Sequence, residues 1–192
     1  DRKIFRKKHS IKPDEFVFLF LSRIDYKKGL NLIFPSIKTI LEKFKVRLVI
    51  AGKGDRAYEK KVNNWIISNN LRDNVLLLGF LSRQEKADAF SGSDCFILPS
   101  LNENFGIAIF EALQSGLPVL ISDNVYQHKI IIEMNAGWLT KYSIEALTHT
   151  MTSILNKDND YKEKKKNSRN VAEKFLPKNL ILQYKKIYKN LS

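Results

Sequence analysis

The chain has 192 residues, 44% of them hydrophobic, with twelve Phe, seven Tyr and a formal charge of +13. That is enough apolar material for one domain with a real core, and it excludes a disordered polypeptide. A single cysteine, Cys95, excludes an internal disulfide framework, and its place in an apolar run marks a core residue in a reducing compartment.

Residues 1–14 open the chain at Asp1, without Met, with Arg2, Lys3, Arg6, Lys7 and Lys8 among the first eight. They read as a linker-like lead-in, and the chain as a piece of a longer protein. An apolar run over 16–21 predicts a first strand, which passes through Ser22-Arg23-Ile24-Asp25-Tyr26-Lys27-Lys28-Gly29 into a helix over 30–44. A second strand over 46–51 ends at Gly52-Lys53-Gly54, before a helix over 58–69. A third over 75–78 ends at Gly79-Phe80-Leu81, before a helix over 84–90. A fourth over 95–98 meets Pro99, and the turn at Gly106 leads to a helix over 107–114. Strands over 119–122 and 137–139 follow, with helices over 126–134 and 144–155.

From 158 to 192 the chain is rich in Lys and Asn, broken at Pro177, with Leu180, Ile181, Tyr184, Ile187 and Tyr188 at helical spacing. This predicts two terminal helices, the last amphipathic. No run reaches the ~18 apolar residues that a membrane-spanning helix needs, and no signal-peptide pattern is present.

Strands that are apolar throughout suit a parallel sheet covered on both faces. Their regular alternation with helices predicts a Rossmann-like, doubly wound α/β sheet with helices on both faces. Sheets of this kind bind ligands at the carboxyl ends of their strands. Gly29, Gly52, Gly54, Gly79 and Gly106 all fall there.

The segment Pro99-Ser100-Leu101-Asn102-Glu103-Asn104-Phe105-Gly106-Ile107-Ala108-Ile109-Phe110-Glu111 carries two carboxylates eight residues apart, on either side of a glycine turn. A helix that starts at such a turn offers backbone N–H groups and its dipole to an anion. Glu103 would stand near the reacting end of a ligand. Glu111, among the apolar residues of a helix read as largely buried, would accept hydrogen bonds from sugar hydroxyls. Arg23 and Lys28 flank the first loop on the same edge and could clamp a diphosphate, Arg with a fork and Lys as a point charge. Gly52-Lys53-Gly54 lacks a third glycine at dinucleotide spacing and reads as a tight turn beside a ligand. Phe80 or a neighbouring backbone group could lie against a base. His9, His128 and His149 are scattered, and no metal-ligand spacing involves them.

These motifs resemble the donor-binding, C-terminal half of GT-B glycosyltransferases of the retaining family 4 type (glycosyl transferases group 1). Glu103 and Glu111 match the family's E-x7-E element. Ser22-Arg23-Ile24 with Lys28-Gly29 is similar to its G-R-L…K-G element, with Ser22 in place of the usual glycine. Ile50-Ala51-Gly52-Lys53-Gly54, Leu78-Gly79-Phe80, Gly116-Leu117-Pro118-Val119-Leu120 and Ala136-Gly137-Trp138 resemble further segments in the family's order.

The resemblance implies that Arg23 and Lys28 hold the donor diphosphate and stabilise charge on the leaving nucleotide. It implies that Glu103 approaches the donor sugar and Glu111 the ribose, with Asn104, Phe105, Gly106 and Ile107 contacting sugar and phosphate. Ser22, Gly52, Gly54, Gly79, Phe80 and Leu81 complete the expected donor site. No metal or other cofactor is expected, because the nucleotide sugar, UDP- or GDP-linked, is a co-substrate. The family's acceptor domain, N-terminal to this one, is missing here, so the chain alone is expected to bind donor and transfer sugar poorly.

The expected role is sugar transfer to a glycan or lipid-linked acceptor during cell-surface polysaccharide synthesis. The expected location is the cytoplasm, peripheral at the inner face of the plasma membrane, where a basic surface meets anionic headgroups. A GT-B sugar-nucleotide epimerase and a glycogen-synthase relative are alternatives within the fold. A non-catalytic basic module for nucleic acid or anionic membrane is the alternative outside it; the leading reading has no nucleic-acid partner.

Overall fold

A computed structural model of the protein describes residues 1–103, 106–156 and 160–174. Its strands are β1 Phe16–Leu21, β2 Val46–Ala51, β3 Val75–Gly79, β4 Cys95–Leu98, β5 Val119–Ser122 and β6 Gly137–Thr140. They form one parallel sheet of six in the order β3-β2-β1-β4-β5-β6. The expected Rossmann-like α/β class is what the chain adopts. The central strands β1 and β4 read Phe-Val-Phe-Leu-Phe-Leu and Cys-Phe-Ile-Leu, with no polar side chain. Such strands need cover on both faces, and Val17 to Phe20 and Cys95 to Leu98 are all buried. Each Phe or Leu taken fully out of water contributes about 1.5–3 kcal/mol, so this pair anchors the sheet.

The helices are α1 Arg2–Lys8, α2 Leu30–Ile40, α3 Arg56–Ser68, α4 Arg83–Gly92, α5 Ile107–Gln114, α6 His128–Glu133, α7 Ile144–Leu155 and α8 Tyr161–Lys174, and a 3-10 turn Tyr26–Lys28 precedes α2. Local chemistry sets several starts. The Asp55 carboxylate accepts from the N–H groups of Ala57 and Tyr58, so α3 begins earlier than its apolar periodicity indicates. Ser82 and Glu85 form a reciprocal capping box on α4. α2 ends at Ile40, short of the expected 44, in turns closed by the N–H groups of Glu42 and Lys43.

The opening residues are not linker-like. α1 lies against α4, and its two arginines converge on one carboxylate. Arg2 Nη2 stands 2.7 Å from Asp94 Oδ1 and Arg6 Nη2 2.6 Å from Asp94 Oδ2. The Val17 N–H donates to the same Asp94 Oδ2 at 2.8 Å. Burial pushes the Arg6 guanidinium below its ordinary value, and Asp94 opposes that shift. Phe5 fills the space that the missing side chain of Gly92 leaves.

In the tail, α8 packs on α5 and β6. Lys162, Lys165, Lys166 and Arg169 are exposed, whereas Lys164 is buried, 2.9 Å from Asp160 and over the Trp138 ring. Pro177 and the amphipathic segment of Leu180, Ile181, Tyr184, Ile187 and Tyr188 lie outside the described residues. Among the described residues no helix is long and apolar enough to cross a membrane.

The sheet grows in one direction from β1 through β2 to β3 and in the other from β4 to β6. Connections from neighbouring strands therefore diverge between β1 and β4, and a crevice opens at their carboxyl ends. Both sequence elements with paired charges, 22–29 and 99–111, emerge at this point.

Candidate functional site

Two adjoining cavities occupy the crevice. The first has a volume of about 430 Å³ and is lined by Leu21, Ser22, Arg23, Ala51, Gly52 and Lys53 from the β1 and β2 ends, with Phe80 and Leu81 from the β3–α4 connection and Lys86 from α4. Ile107, Ala108 and Glu111 of α5 close it. The second, of about 360 Å³, is lined by Ser22, Arg23, Lys28, Leu98, Glu103, Gly106, Ile107 and Ala108. Ser22, Arg23, Ile107 and Ala108 thus form a wall common to both.

Each cavity holds a lysine–glutamate pair. In the second, Lys28 Nζ donates to Glu103 Oε2 at 2.6 Å, with both side chains 16% exposed. The Gly106 N–H donates to the other oxygen, Glu103 Oε1, at 3.1 Å. The main chain of Glu103 is fixed too, because its carbonyl accepts from the Tyr126 N–H at 3.1 Å. On the lysine side, Lys27 O accepts from the Leu101 N–H at 2.7 Å and the Ser100 hydroxyl at 3.0 Å. The loops after β1 and β4 are therefore stitched together beneath the pair.

In the first cavity Lys86 Nζ donates to Glu111 Oε1. Arg23 is the most exposed cation of the group, at 68%, and it pairs with Asp25 at 3.2 Å.

Two glycines set the backbone of the site. At Gly52, with φ +134°, an added Cβ would lie 1.9 Å from Ser22 O, so only glycine lets the β2 loop approach the β1 loop this closely. Gly106, with φ +47°, turns the chain into α5 without any side-chain cap. The first amides of a helix have no intrahelical acceptor, and here they begin at the wall between the cavities. An anion lying there meets the positive end of the helix dipole as well as Lys28 and Arg23.

The structure thus brings together Ser22, Arg23, Lys28, Gly52, Phe80, Leu81, Glu103, Gly106, Ile107 and Glu111. It does not place Gly54 or Gly79 on either cavity. Gly54 bridges to Ile24, and the Gly79 carbonyl accepts from the Gly52 N–H at 2.7 Å, so both act one step behind the site. Asn104 and Phe105 lie outside the described residues.

α5 is not the buried helix its composition indicates. Ile109, Ala112 and Leu113 face the core, but Ile107 and Glu111, one turn apart, share the cavity side, at 66% exposure for Ile107 and 32% for the Glu111 side chain. Glu111 accordingly has a protein partner, Lys86, which sequence reasoning did not single out. The signal was present: Ser82 and Glu85, three residues apart, mark a capping box after the third strand, and that puts Lys86 near the start of a helix at the ligand edge.

With this geometry in hand, a family model described as glycosyl transferases group 1 matches residues 1–171. The chain belongs to this family. An uncharacterized glycosyltransferase of Methanocaldococcus jannaschii is 29% identical over 189 residues, which is 96% of this chain and 47% of the relative. The alpha-monoglucosyldiacylglycerol synthase of Streptococcus pneumoniae is 32% identical over 138 residues, 71% of this chain and 31% of the synthase. Among solved structures, that of Anabaena HepE in complex with UDP-glucose matches with a TM-score of 0.83 at 19% identity, over 98% of this chain and 51% of HepE. This group 1 chain therefore shares the fold of GT-B glycosyltransferases, and it spans about half the length of these relatives or less.

Proposed function

We propose that this chain is the donor-binding domain of a retaining glycosyltransferase and takes a UDP- or GDP-linked sugar. The observation that carries the reading is the pair of adjoining cavities, divided by Arg23 and the start of α5. The first has the size and mixed lining of a nucleoside site: apolar walls from Leu21, Ala51 and Leu81, the exposed ring of Phe80 for a base, and Glu111 for ribose hydroxyls. The diphosphate then crosses the dividing wall, where Arg23 and the first amides of α5 meet it. The sugar enters the second cavity beside Lys28 and Glu103. A relative in fold was solved with UDP-glucose, which supports a nucleotide-sugar ligand.

As the glycosidic bond to the diphosphate breaks, negative charge grows on the leaving phosphate. Fixed cations placed at that point lower the barrier because they are already oriented. Arg23, Lys28 and the α5 terminus supply this charge, so the reading needs no metal ion and no further cofactor. Glu103 accepts hydrogen bonds from sugar hydroxyls. In this reading a second domain outside residues 1–192 holds a glycan or lipid-linked acceptor. The product is cell-surface polysaccharide, made in the cytoplasm at the inner face of the plasma membrane, where the exposed lysines of α8 face anionic headgroups. The name of the pneumococcal relative, which speaks of a glucosyl lipid, supports a lipid-linked acceptor.

Thermal denaturation with UDP, GDP and their sugar conjugates tests the reading. A ligand at a hundred times its Kd adds about 2.7 kcal/mol, which for a domain of this size raises Tm by about 5–10 °C. Arg23→Ala and Glu111→Ala should abolish the rise. If saturating nucleotide diphosphates leave Tm unchanged while polyanions raise it, the chain is a basic binding module and the donor reading fails.

A further inference from the structure

Lys86 lies in the wall of the larger cavity and belongs to none of the motifs that carry the donor reading. It sits on α4, and its Nζ reaches across to the Glu111 carboxylate on α5. The two side chains are 29% and 32% exposed. Around them the cavity is mostly apolar, with Leu21, Ala51, Leu81, Ile107 and Ala108. A carboxylate in such a place is costly unless a cation or donors compensate it.

The lysine is also held in place from behind. Its N–H donates to Ser82 O at 2.9 Å, one residue past the capping box in which Ser82 N–H donates to Glu85 Oε2 at 2.8 Å. The Glu85 carboxyl, hydrogen-bonded by Ser82, is drawn below its ordinary value, so the cap is present wherever nucleotide would bind. α4 itself is fastened to α1 through Arg2 and Arg6, which bond the carbonyls at its end. The side chain of Lys86 therefore reaches Glu111 from an anchored backbone. It engages Oε1 of Glu111, and a carboxylate offers about four acceptor positions, so most of that capacity is left for a ligand.

We propose that Lys86 is a positioning residue for ribose recognition: through its contact with Oε1 it aims the Glu111 carboxylate at the 2′ and 3′ hydroxyls of the bound nucleotide. This deepens the donor reading above and rests on it. Lys86 supplies no contact to the reacting atoms. Its effect on nucleotide affinity passes through Glu111, and it is confined to the ribose.

The test is calorimetric titration of UDP and of 2′,3′-dideoxy-UDP into the intact chain and into Lys86→Gln, Lys86→Arg, Glu111→Gln and the double variant Lys86→Gln/Glu111→Gln. The wild-type chain is expected to prefer UDP over the dideoxy analogue by about tenfold or more, as for loss of hydrogen bonds to a charged acceptor. Lys86→Gln should lose most of that preference, with little change in affinity for the analogue, whereas Lys86→Arg keeps it. In the double variant the lysine change should add nothing to Glu111→Gln.

A helix that simply loosens would weaken both nucleotides alike, and that result overturns the proposal. So does a Lys86→Gln chain that prefers UDP as strongly as wild type. GDP and its 2′,3′-dideoxy analogue are titrated in the same way, and if the wild-type chain binds none of the four nucleotides, the donor reading falls, and the role of Lys86 with it.

Discussion

Lys28 and Glu103, 75 residues apart in sequence, meet at 2.6 Å and tie the loop after β1 to the loop after β4. Both side chains are largely shielded, and the Gly106 N–H takes the other carboxylate oxygen. The pair is at once a brace for the switch point and the lining of the smaller cavity. Lys28→Met removes the cation and leaves a shielded carboxylate with one backbone donor. The expected loss is about 1–3 kcal/mol, read as a lower urea midpoint at unchanged slope. Nucleotide diphosphate affinity should fall about tenfold or more. Glu103→Gln keeps the shape but only one acceptor oxygen, so its NH2 faces one of the two donors; it should weaken UDP-sugar more than UDP. Calorimetry on the two ligands separates the roles, and equal losses for both would contradict the assignment of Glu103 to the sugar.

The two glycines at the site fail differently when changed to alanine. At Gly52 the new methyl group would press on the main-chain oxygen of Ser22 at 1.9 Å, and neither strand end can retreat. Gly52→Ala should cost about 2–4 kcal/mol, in the range of severe backbone conflicts, with loss of nucleotide binding. At Gly106 the nearest atom is the Cδ1 tip of Ile109, 2.6 Å away, and a side-chain tip can move. The left-handed conformation then dominates, and Gly106→Ala should cost only about 1–2 kcal/mol. Urea denaturation of the two variants checks the order.

The fold was legible because its strands are largely apolar, the central β1 and β4 wholly so, as a parallel sheet covered on both faces requires. All six strand runs and the glycines at their carboxyl ends could be read, and so could the side of the sheet on which Arg23, Lys28, Glu103 and Glu111 gather. What could not be read were the pairings. The approach of Lys28 to Glu103 and of Lys86 to Glu111 depends on how far each helix is displaced at the switch point, and no local pattern encodes that. The basic opening segment hid a helix, because its arginines are satisfied by Asp94, which lies about ninety residues further on. For the same reason Lys164, one lysine in a run of five charged residues, gave no hint that it is buried beside Trp138.

Asp94 is the strongest single tie outside the site. Its carboxylate, 13% exposed, serves Arg2, Arg6 and the Val17 N–H. Asp94→Ala strands a guanidinium that is itself 7% exposed, and removing one partner of such a pair costs about 3–5 kcal/mol. α1 should then come away from α4, with tryptic cleavage after Arg2, Lys3, Arg6, Lys7 or Lys8 well before the rest of the chain is cut. Undiminished protection of these bonds in the variant would show that Phe5 against Gly92, and not the ion pairs, holds the helix.

His9 gives the domain a pH dependence with a definite sign. It ends α1 with its ring 4.6 Å from that of Phe5, and burial, then the neighbouring charge of Lys8, pushes its imidazole below the ordinary value of 6.5. The folded chain therefore prefers neutral His9, and the unfolded chain binds the proton first. Where the unfolded state holds more protons, stability rises with pH. The effect is absent above about pH 7 and grows as pH falls through 6.5 toward the folded value. The shifted carboxyls of Asp14 and Glu85 do not blur this window. Both are held below their ordinary values of 3.8 and 4.5 by hydrogen bonds, from Lys45 and from Ser82, so their contribution is lost only in more acid solution. Tm measured between pH 7.5 and 5.5 should decline in the wild-type chain and stay nearly level in His9→Asn, whose side chain does not titrate. Parallel declines in both would place the acid sensitivity elsewhere.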